Sequence, residues 1–248
     1  MRMRILMFAL TALAACGIGY AEGEAKPRME PSASVAAMLA DLPTAAAKLP
    51  PQSPVRQAVE AGDLDRARAM LGFRPLAEAP LPEGFPAFTP VGVIEVKKYP
   101  AYRKASGPGF WPLFQHIKAE NIPMTAPVEM TRAGRNGQRP MAFLYQNTSV
   151  GKTGDAGGVV VADAEPTMAV SLGIRGRMSQ ASTIDAKKRL DGWLADHPEY
   201  RRATMTPFRL FGYSSPMVPD ADKYWEAQVL IEPTQGTTTE AAQATRSP

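Results

Sequence analysis

Few side chains in this chain could bind a metal through nitrogen or sulfur. Among its 248 residues are two histidines, His116 and His197, and a single cysteine, Cys16. A structural zinc site takes four nitrogen or sulfur ligands, so these three residues are too few to build one. The sequence also lacks the G-x-S-x-G, H-E-x-x-H and dinucleotide-binding glycine motifs. It therefore gives no positive evidence for catalysis, and we expect that the protein is not an enzyme.

His116 is the residue best placed to bind a ligand. At 100° per residue, Phe110, Leu113, Phe114 and Ile117 share one face, which predicts an amphipathic helix with a buried stripe. His116 falls beside Leu113 at the edge of that stripe, where an imidazole can border a cleft and bind a ligand. The alternative is a partly exposed histidine that only packs.

The predicted helix leads directly into an extended segment. Asn121 and Pro123 end the helix, because proline has no amide donor and disfavours helical geometry in the residue before it. A second proline, Pro127, makes residues 122–131 an irregular or edge strand beside the helix.

Three stretches, in this order along the chain, resemble motifs of one family. Asn121-Ile-Pro-Met-Thr-Ala-Pro-Val128, following an amphipathic helix, resembles the signature of the SOUL heme-binding protein family. The stretch 93–103 is similar to the opening hairpin of that family. Residues 212–217 and 224–229 are similar to its closing loop and last strand. The resemblance covers residues 88–233, which we identify as a SOUL-like domain.

The resemblance implies a function and a site. It implies non-covalent binding of heme or another tetrapyrrole in an apolar groove between the first helix and the closing loop, Tyr213–Pro219. The expected ligand-binding residues are Trp111, Phe114, Gln115, His116, Met124, Tyr213, Pro216 and Met217. His116 is the candidate iron ligand, although a histidine ligand is not general in the family.

The remaining patterns predict an α+β fold. Met168, Val170, Leu172 and Ile174 alternate with smaller or polar residues, which is the period-two pattern of a strand. A second helix is predicted over residues 183–196, with Ser182 as its cap. Its expected apolar face is Ile184, Leu190, Trp193 and Leu194. Element order and the resemblance together predict a distorted antiparallel β-barrel with two flanking helices, built from a pseudo-twofold repeat.

Residues 1–21 have the pattern of a signal peptide. Arg2 and Arg4 precede Ile5–Ala15, an apolar run too short for the roughly 20 residues of a membrane span. Leu13-Ala14-Ala15-Cys16 resembles the bacterial lipoprotein signal, which predicts lipidation of Cys16; the alternatives are cleavage after Ala21 and an uncleaved membrane anchor. Lipidation or cleavage predicts an exported protein, in the periplasm or anchored to the envelope as a lipoprotein.

The other segments outside the main domain carry weaker patterns. We expect a flexible linker over residues 22–54, an accessory helical hairpin over 55–72, a proline-marked linker into the main domain, and a disordered tail over 234–248. Without Arg2 and Arg4 the chain has 26 basic and 24 acidic side chains, a net charge of +2. That balance argues against a nucleic-acid partner. We expect a tetrapyrrole as partner and contact with a membrane through a lipid anchor alone; the sequence does not determine the oligomeric state.

Two alternatives make different structural predictions. A small-molecule hydrolase using Glu226 would need that carboxylate to be buried beside an apolar pocket, with a raised pKa. A structural or partner-binding lipoprotein would have a shallow exposed apolar patch and no cleft of porphyrin size.

Overall fold

The computed structural model describes residues 27–131, 140–203 and 208–234. The predictions of a signal peptide and of lipidation at Cys16 lie outside the described residues, as does the predicted tail beyond residue 234. Within the described ranges, no helix has the length and apolar character needed to cross a membrane.

The fold combines helices with one large sheet, as an α+β class requires. The helices of the described ranges are α1 (Ala33–Ala40), α2 (Leu42–Ala47), α3 (Pro54–Glu60), α4 (Leu64–Leu71), α5 (Phe110–Ala119) and α6 (Gln180–Ala195). The strands there are β1 (Ile94–Tyr99), β2 (Tyr102–Gly107), β3 (Val128–Thr131), β4 (Met141–Leu144), β5 (Gly154–Asp155), β6 (Val160–Ala164), β7 (Thr167–Arg175), β8 (Tyr200–Arg202), β9 (Arg209–Gly212) and β10 (Tyr224–Pro233). A short 3-10 turn, Asp220–Asp222, precedes β10.

The strands form one antiparallel sheet that does not close. Their order is β1-β7-β10-β9-β3-β4-β2-β6-β5, with β8 also paired to β10. The predicted closed barrel is therefore wrong, and so is the predicted hairpin of β1 with β2. Strand β1 pairs with β7 as far as Tyr99 opposite Thr167, and β2 pairs with β6 from Tyr102 opposite Ala164. Pro100 lies in the gap between these two ladders and has no amide to bridge it. The pseudo-twofold repeat stays a prediction.

Helix α5 forms where the apolar spacing predicts it. Leu113, Phe114 and Ile117 are buried on one face. The helix ends before Asn121, which has a positive φ of 52°. The extended segment that follows becomes β3 in the middle of the sheet, between β9 and β4, and not at an edge. Both prolines of the segment precede β3, so its ladder keeps its amide donors.

Helix α6 begins earlier than predicted. Its N-cap is Ser179, whose hydroxyl accepts a hydrogen bond from the Ser182 amide in a reciprocal capping box. Leu190 and Trp193 are buried as expected, whereas Ile184 is 60% exposed. The serine spacing allows two caps, and the earlier one adds a turn to the helix.

Part of the segment predicted as a flexible linker, residues 22–54, forms helices α1 and α2, which pack against the rest of the protein. Helices α1–α4 bury a shared cluster that includes Val35, Leu42, Leu71 and Val93 of the strand region. Ser53 Oγ accepts a hydrogen bond from the Ile94 amide (3.1 Å), which fastens the cluster to β1. The sequence pattern did not predict helices α1 and α2, because alanine contributes little to a periodic apolar pattern.

Residues 73–90, which we call the strap, cross the sheet in place of the predicted proline-marked linker. The Thr89 amide donates to Glu226 Oε1 on β10 (2.8 Å). The ring of Phe85 packs edge-on against Tyr99 at 5.1 Å between centroids. A Cβ at Gly173 would lie 2.2 Å from the Thr89 carbonyl oxygen, so glycine is needed for this close approach.

Candidate functional site

A cavity of about 700 Å³ lies beside α5, where the sheet, the strap and the closing loop meet. Its volume falls within the roughly 300–1,000 Å³ of small-molecule and cofactor sites. Its lining comes from α5 and the segment after it, from β3, β4 and β9, from the start of β10, from residues 176–178, from the strap and from the closing loop.

Most of the lining is apolar. Its larger aliphatic, methionine, phenylalanine and tryptophan side chains are Phe110, Phe114, Met124, Val128, Met130, Met141, Met178 and Trp225. The rings of Phe110 and Phe114 are stacked, with centroids 5.6 Å apart. Aromatic and methionine side chains suit a flat apolar ligand, because the rings stack and methionine adapts to irregular surfaces.

The two basic lining residues, Arg177 and Lys223, come from neighbouring segments. The Gly176 amide donates to the Lys223 carbonyl oxygen (2.8 Å), which brings Arg177 and Lys223 together. The Tyr224 amide donates to Ser214 Oγ (3.0 Å), which places the closing loop next to them. Lys223 Nζ also donates to Asp220 Oδ1 (2.6 Å), and the carboxylate of Glu78 is in the lining too. The cavity therefore has an apolar body and a charged edge, and we call its Arg177 and Lys223 side the basic edge.

Four of the predicted site residues line the cavity and four do not. Phe114, Met124, Tyr213 and Pro216 are in the lining. Trp111 and Met217 are each 54% exposed, next to lining residues but outside the lining themselves. Gln115 is exposed on α5 and is also outside it. The helical spacing could not separate the cavity face of α5 from its solvent face.

His116 lies outside the cavity lining, so its position gives no support to ligation of heme iron there. Its Nε2 is 2.8 Å from the hydroxyl of Tyr145. Burial, together with the charge of Glu120, raises the pKa of Tyr145 to about 12, so the phenol is protonated at neutral pH and can donate to the imidazole. His116 lies at the edge of the apolar stripe of α5, and this edge faces Tyr145.

Sequence reasoning missed several lining residues. Glu78 comes from the strap, which the sequence presents as a linker, and Arg177 follows the end of β7. Met130 and Met141 occupy paired positions on β3 and β4, but their pairing is visible only once the register of the sheet is known. Strand alternation could have suggested the methionines, whereas nothing in the sequence marks Glu78.

Glu226 is buried but does not line this cavity. Its Oε1 lies 2.9 Å from Lys97 Nζ, and it also accepts from the Thr89 amide and Gln228 Nε2. Burial acts to raise the pKa of Glu226, but Lys97 and these donors hold it below its ordinary value. The hydrolase alternative needs a raised pKa beside an apolar pocket, so the site of Glu226 does not support it.

The donor atoms of the lining fit a tetrapyrrole that is held mainly by its macrocycle. Among the described lining residues there are methionine thioethers but no histidine or cysteine. Burial raises the pKa of both Tyr213 and Tyr224 well above the ordinary value, which disfavours the phenolate form that would bind iron. Elsewhere in the described ranges, no group of three or more acidic, histidine or cysteine side chains could hold a metal ion.

A sequence profile of the SOUL heme-binding protein family matches residues 87–229. No curated protein matches the chain.

Similar solved structures include the C-terminal domain of EcmrR, at 15% identity and a TM-score of 0.45, covering 57% of this chain and 98% of that one. A hydrolase from Listeria innocua matches at 12% identity and a TM-score of 0.45, covering 58% and 94% of the two chains. SAV2435 bound to tetraphenylphosphonium matches at 7% identity and a TM-score of 0.36, covering 56% of this chain and 93% of that one. Similarities this weak carry no argument about function.

Proposed function

This chain belongs to the SOUL heme-binding protein family, and we propose from that premise that its cavity binds heme or a related tetrapyrrole non-covalently. The observation that carries the proposal is the cavity itself, about 700 Å³ in volume, with a mostly apolar lining and two basic side chains on one side. A tetrapyrrole such as heme has the matching division, with a flat apolar macrocycle and two carboxylates on one edge.

The residues of the cavity have distinct tasks in this proposal. Phe110, Phe114 and Trp225 contact the macrocycle and exclude water from it, which supplies most of the binding free energy. Arg177 and Lys223 pair with the two carboxylates and orient the ligand. Iron would supply redox and ligand-binding chemistry when present, and a lining methionine is the donor type available to it.

The cavity favours this function over the partner-binding alternative. That alternative predicts a shallow patch without a cleft of porphyrin size, whereas this cavity has the volume of a cofactor site. Glu226 gives no support to a hydrolase, because Lys97 already pairs with it.

The proposal is tested by titrating the purified protein with hemin and following the Soret band. Met130, a partly exposed lining residue, is changed to Trp so that the larger side chain fills the cavity. We expect saturable one-to-one binding in the wild type and affinity at least about tenfold weaker in Met130→Trp, because the macrocycle loses its contact surface.

The matched control is Val96→Trp, a partly exposed strand residue outside the lining. It should bind hemin like the wild type. Weak, non-saturable uptake by the wild type, or equal affinity in Met130→Trp, would contradict tetrapyrrole binding in this cavity.

We also propose that the protein binds or transfers its ligand in the bacterial cell envelope. The support is in the sequence, where the signal-like residues 1–21 contain the lipobox-like Leu13-Ala14-Ala15-Cys16. Fractionation of cells expressing the wild type and Cys16→Ser tests this. Release of the variant from the membrane into the periplasm would support a lipid anchor, and a cytoplasmic wild type would contradict export.

A further inference from the structure

Glu78 is the residue at which the strap meets the closing loop. Its Oε2 accepts a hydrogen bond from the Ser215 amide (2.7 Å), and its Oε1 accepts one from Ser215 Oγ (3.0 Å). Both residues line the cavity. One carboxylate therefore holds the backbone and the side chain of the same loop residue at the cavity wall, through charge-assisted hydrogen bonds, which are stronger than neutral ones.

The closing loop has buried ends and an exposed middle. Tyr213 and Val218 are 4% and 3% exposed and anchor the loop to the protein. Pro216 and Met217 between them are exposed, and Pro216 lines the cavity. Over the ranges that the structure describes, Glu78 makes the side-chain hydrogen bonds that tie residues 215–217 to another element. Without them, no hydrogen bond within the described residues would join positions 215–217 to another element.

The strap offers a fixed base for this contact. On one side of Glu78 the Ala77 amide donates to the Pro27 carbonyl oxygen (2.8 Å), and on the other the Ala126 amide donates to the Pro80 carbonyl oxygen (2.9 Å). Because its backbone is held on both sides, Glu78 can restrain the loop with little further loss of conformational entropy. Glu78 also precedes the region of residues 87–229 that the family profile matches.

We propose that Glu78 is a positioning residue that holds the closing loop against the bound ligand and so sets how slowly a tetrapyrrole leaves. The inference rests on the proposed function and adds to it a role for the strap, which supplies one wall of the cavity. The Glu78–Ser215 contact, which we call the clamp, keeps the loop in contact with the bound ligand. Loss of such contacts changes dissociation more than association, so the clamp acts mainly on release.

The experiment measures release of hemin from the purified protein to excess apomyoglobin by stopped flow. We expect Glu78→Ala to release hemin at least about tenfold faster than the wild type, with association changed by less than about threefold. Ser215→Ala, which loses only one of the two bonds, should have a smaller effect. The double variant should release no faster than Glu78→Ala, because both substitutions remove the same contact.

Glu83→Ala is the matched control. Glu83 is in the same strap and accepts a hydrogen bond from Asn147 Nδ2 (2.9 Å), but it does not line the cavity. Its release rate should equal that of the wild type. Equal acceleration in Glu83→Ala, or a wild-type rate in Glu78→Ala, would overturn the clamp.

Hydrogen exchange separates this inference from the proposed function. In the ligand-free protein, the Ser215 amide should exchange faster in Glu78→Ala than in the wild type, since its acceptor is gone. Unchanged exchange would overturn the clamp even if hemin binds. Faster exchange in a protein that fails to bind hemin would keep the loop contact and overturn tetrapyrrole binding.

Discussion

Lys97 and Glu226 form an ion pair inside the protein, with Nζ 2.9 Å from Oε1 and with 3% and 0% of their side chains exposed. They come from β1 and β10, which both pair with β7. Glu226 is further satisfied by Ser171 Oγ and the hydroxyl of Tyr224. Such a pair is stable only while both charges are present, because one buried charge without its partner is strongly unfavourable.

Removing one member of this pair should therefore destabilise the fold. We expect Lys97→Met to lower the free energy of unfolding by about 3–5 kcal/mol, measured by urea denaturation. The double variant Lys97→Met/Glu226→Gln should lose clearly less than the sum of the two single changes, because it leaves no unpaired charge. Strict additivity would contradict a coupled pair.

The control for these variants of the buried pair is an exposed ion pair. Arg201 Nη2 lies 3.0 Å from Glu232 Oε1, with the two side chains 48% and 38% exposed. Arg201→Met should change the free energy of unfolding by no more than about 1 kcal/mol, because exposed pairs contribute little.

Acid should weaken the fold through Glu129 and Glu226. Burial acts to raise the pKa of Glu129, but Arg209, Lys104 and the Tyr102 hydroxyl lower it below its ordinary value of 4.5. The pKa of Glu226 is also below its ordinary value, because Lys97 and the hydrogen-bond donors around it outweigh burial. A carboxyl whose folded pKa lies below its unfolded pKa adds stability above the unfolded value. That stability is lost as the pH falls through the folded pKa. We expect the urea midpoint to fall from pH 5 to pH 3.

Glu129→Gln separates this contribution from the general effect of acid. Its urea midpoint should be lower than that of the wild type at pH 7 and should change less between pH 5 and pH 3. Glu95 has the opposite effect on stability. Burial raises its pKa above 4.5, so its contribution to the free energy of unfolding is lost as the pH rises. An unaltered pH profile in Glu129→Gln would contradict the role assigned to Glu129.

The basic edge of the cavity should recognise the carboxylates of the ligand. We expect Arg177→Ala/Lys223→Ala to weaken binding of protoporphyrin IX by about tenfold, because exposed charge pairs with a ligand are each worth roughly 0.2–1 kcal/mol. The dimethyl ester of the same porphyrin has no charge to pair, so its affinity should be equal in the two proteins. Equal loss for acid and ester, measured by fluorescence titration, would show that the substitutions had altered the cavity itself.

Removal of the iron should change binding little. The described lining contains no histidine or cysteine, so we expect metal-free protoporphyrin IX to bind within about tenfold of hemin. His116→Ala should leave the Soret spectrum of the hemin complex unchanged, since its imidazole contacts Tyr145 outside the lining. A shifted spectrum in His116→Ala, or affinity for hemin more than about 100-fold above that for the free porphyrin, would instead indicate a strong iron ligand.

The sequence predicted the local features of this protein well. The spacing of Leu113, Phe114 and Ile117 requires a helix with one buried face, and Pro123 must end it, because these effects act over one or two turns of chain. The three ordered motifs likewise identified the family, which the profile match over residues 87–229 confirms. Met124, Tyr213 and Pro216 lie in these motifs and Phe114 lies in the helix before the second one, and all four line the cavity.

The tertiary structure decided which residues meet. Pairing of β1 with β7 and of β2 with β6 depends on contacts between residues that are 54 to 78 positions apart in the chain, as between Tyr102 and Ala164, and no local pattern encodes these. Packing of distant elements also produces three side-chain contacts: His116 with Tyr145, Lys97 with Glu226, and Glu78 with Ser215. Local spacing determines which face of an element is apolar, whereas the partner of each polar side chain is set by how distant elements pack.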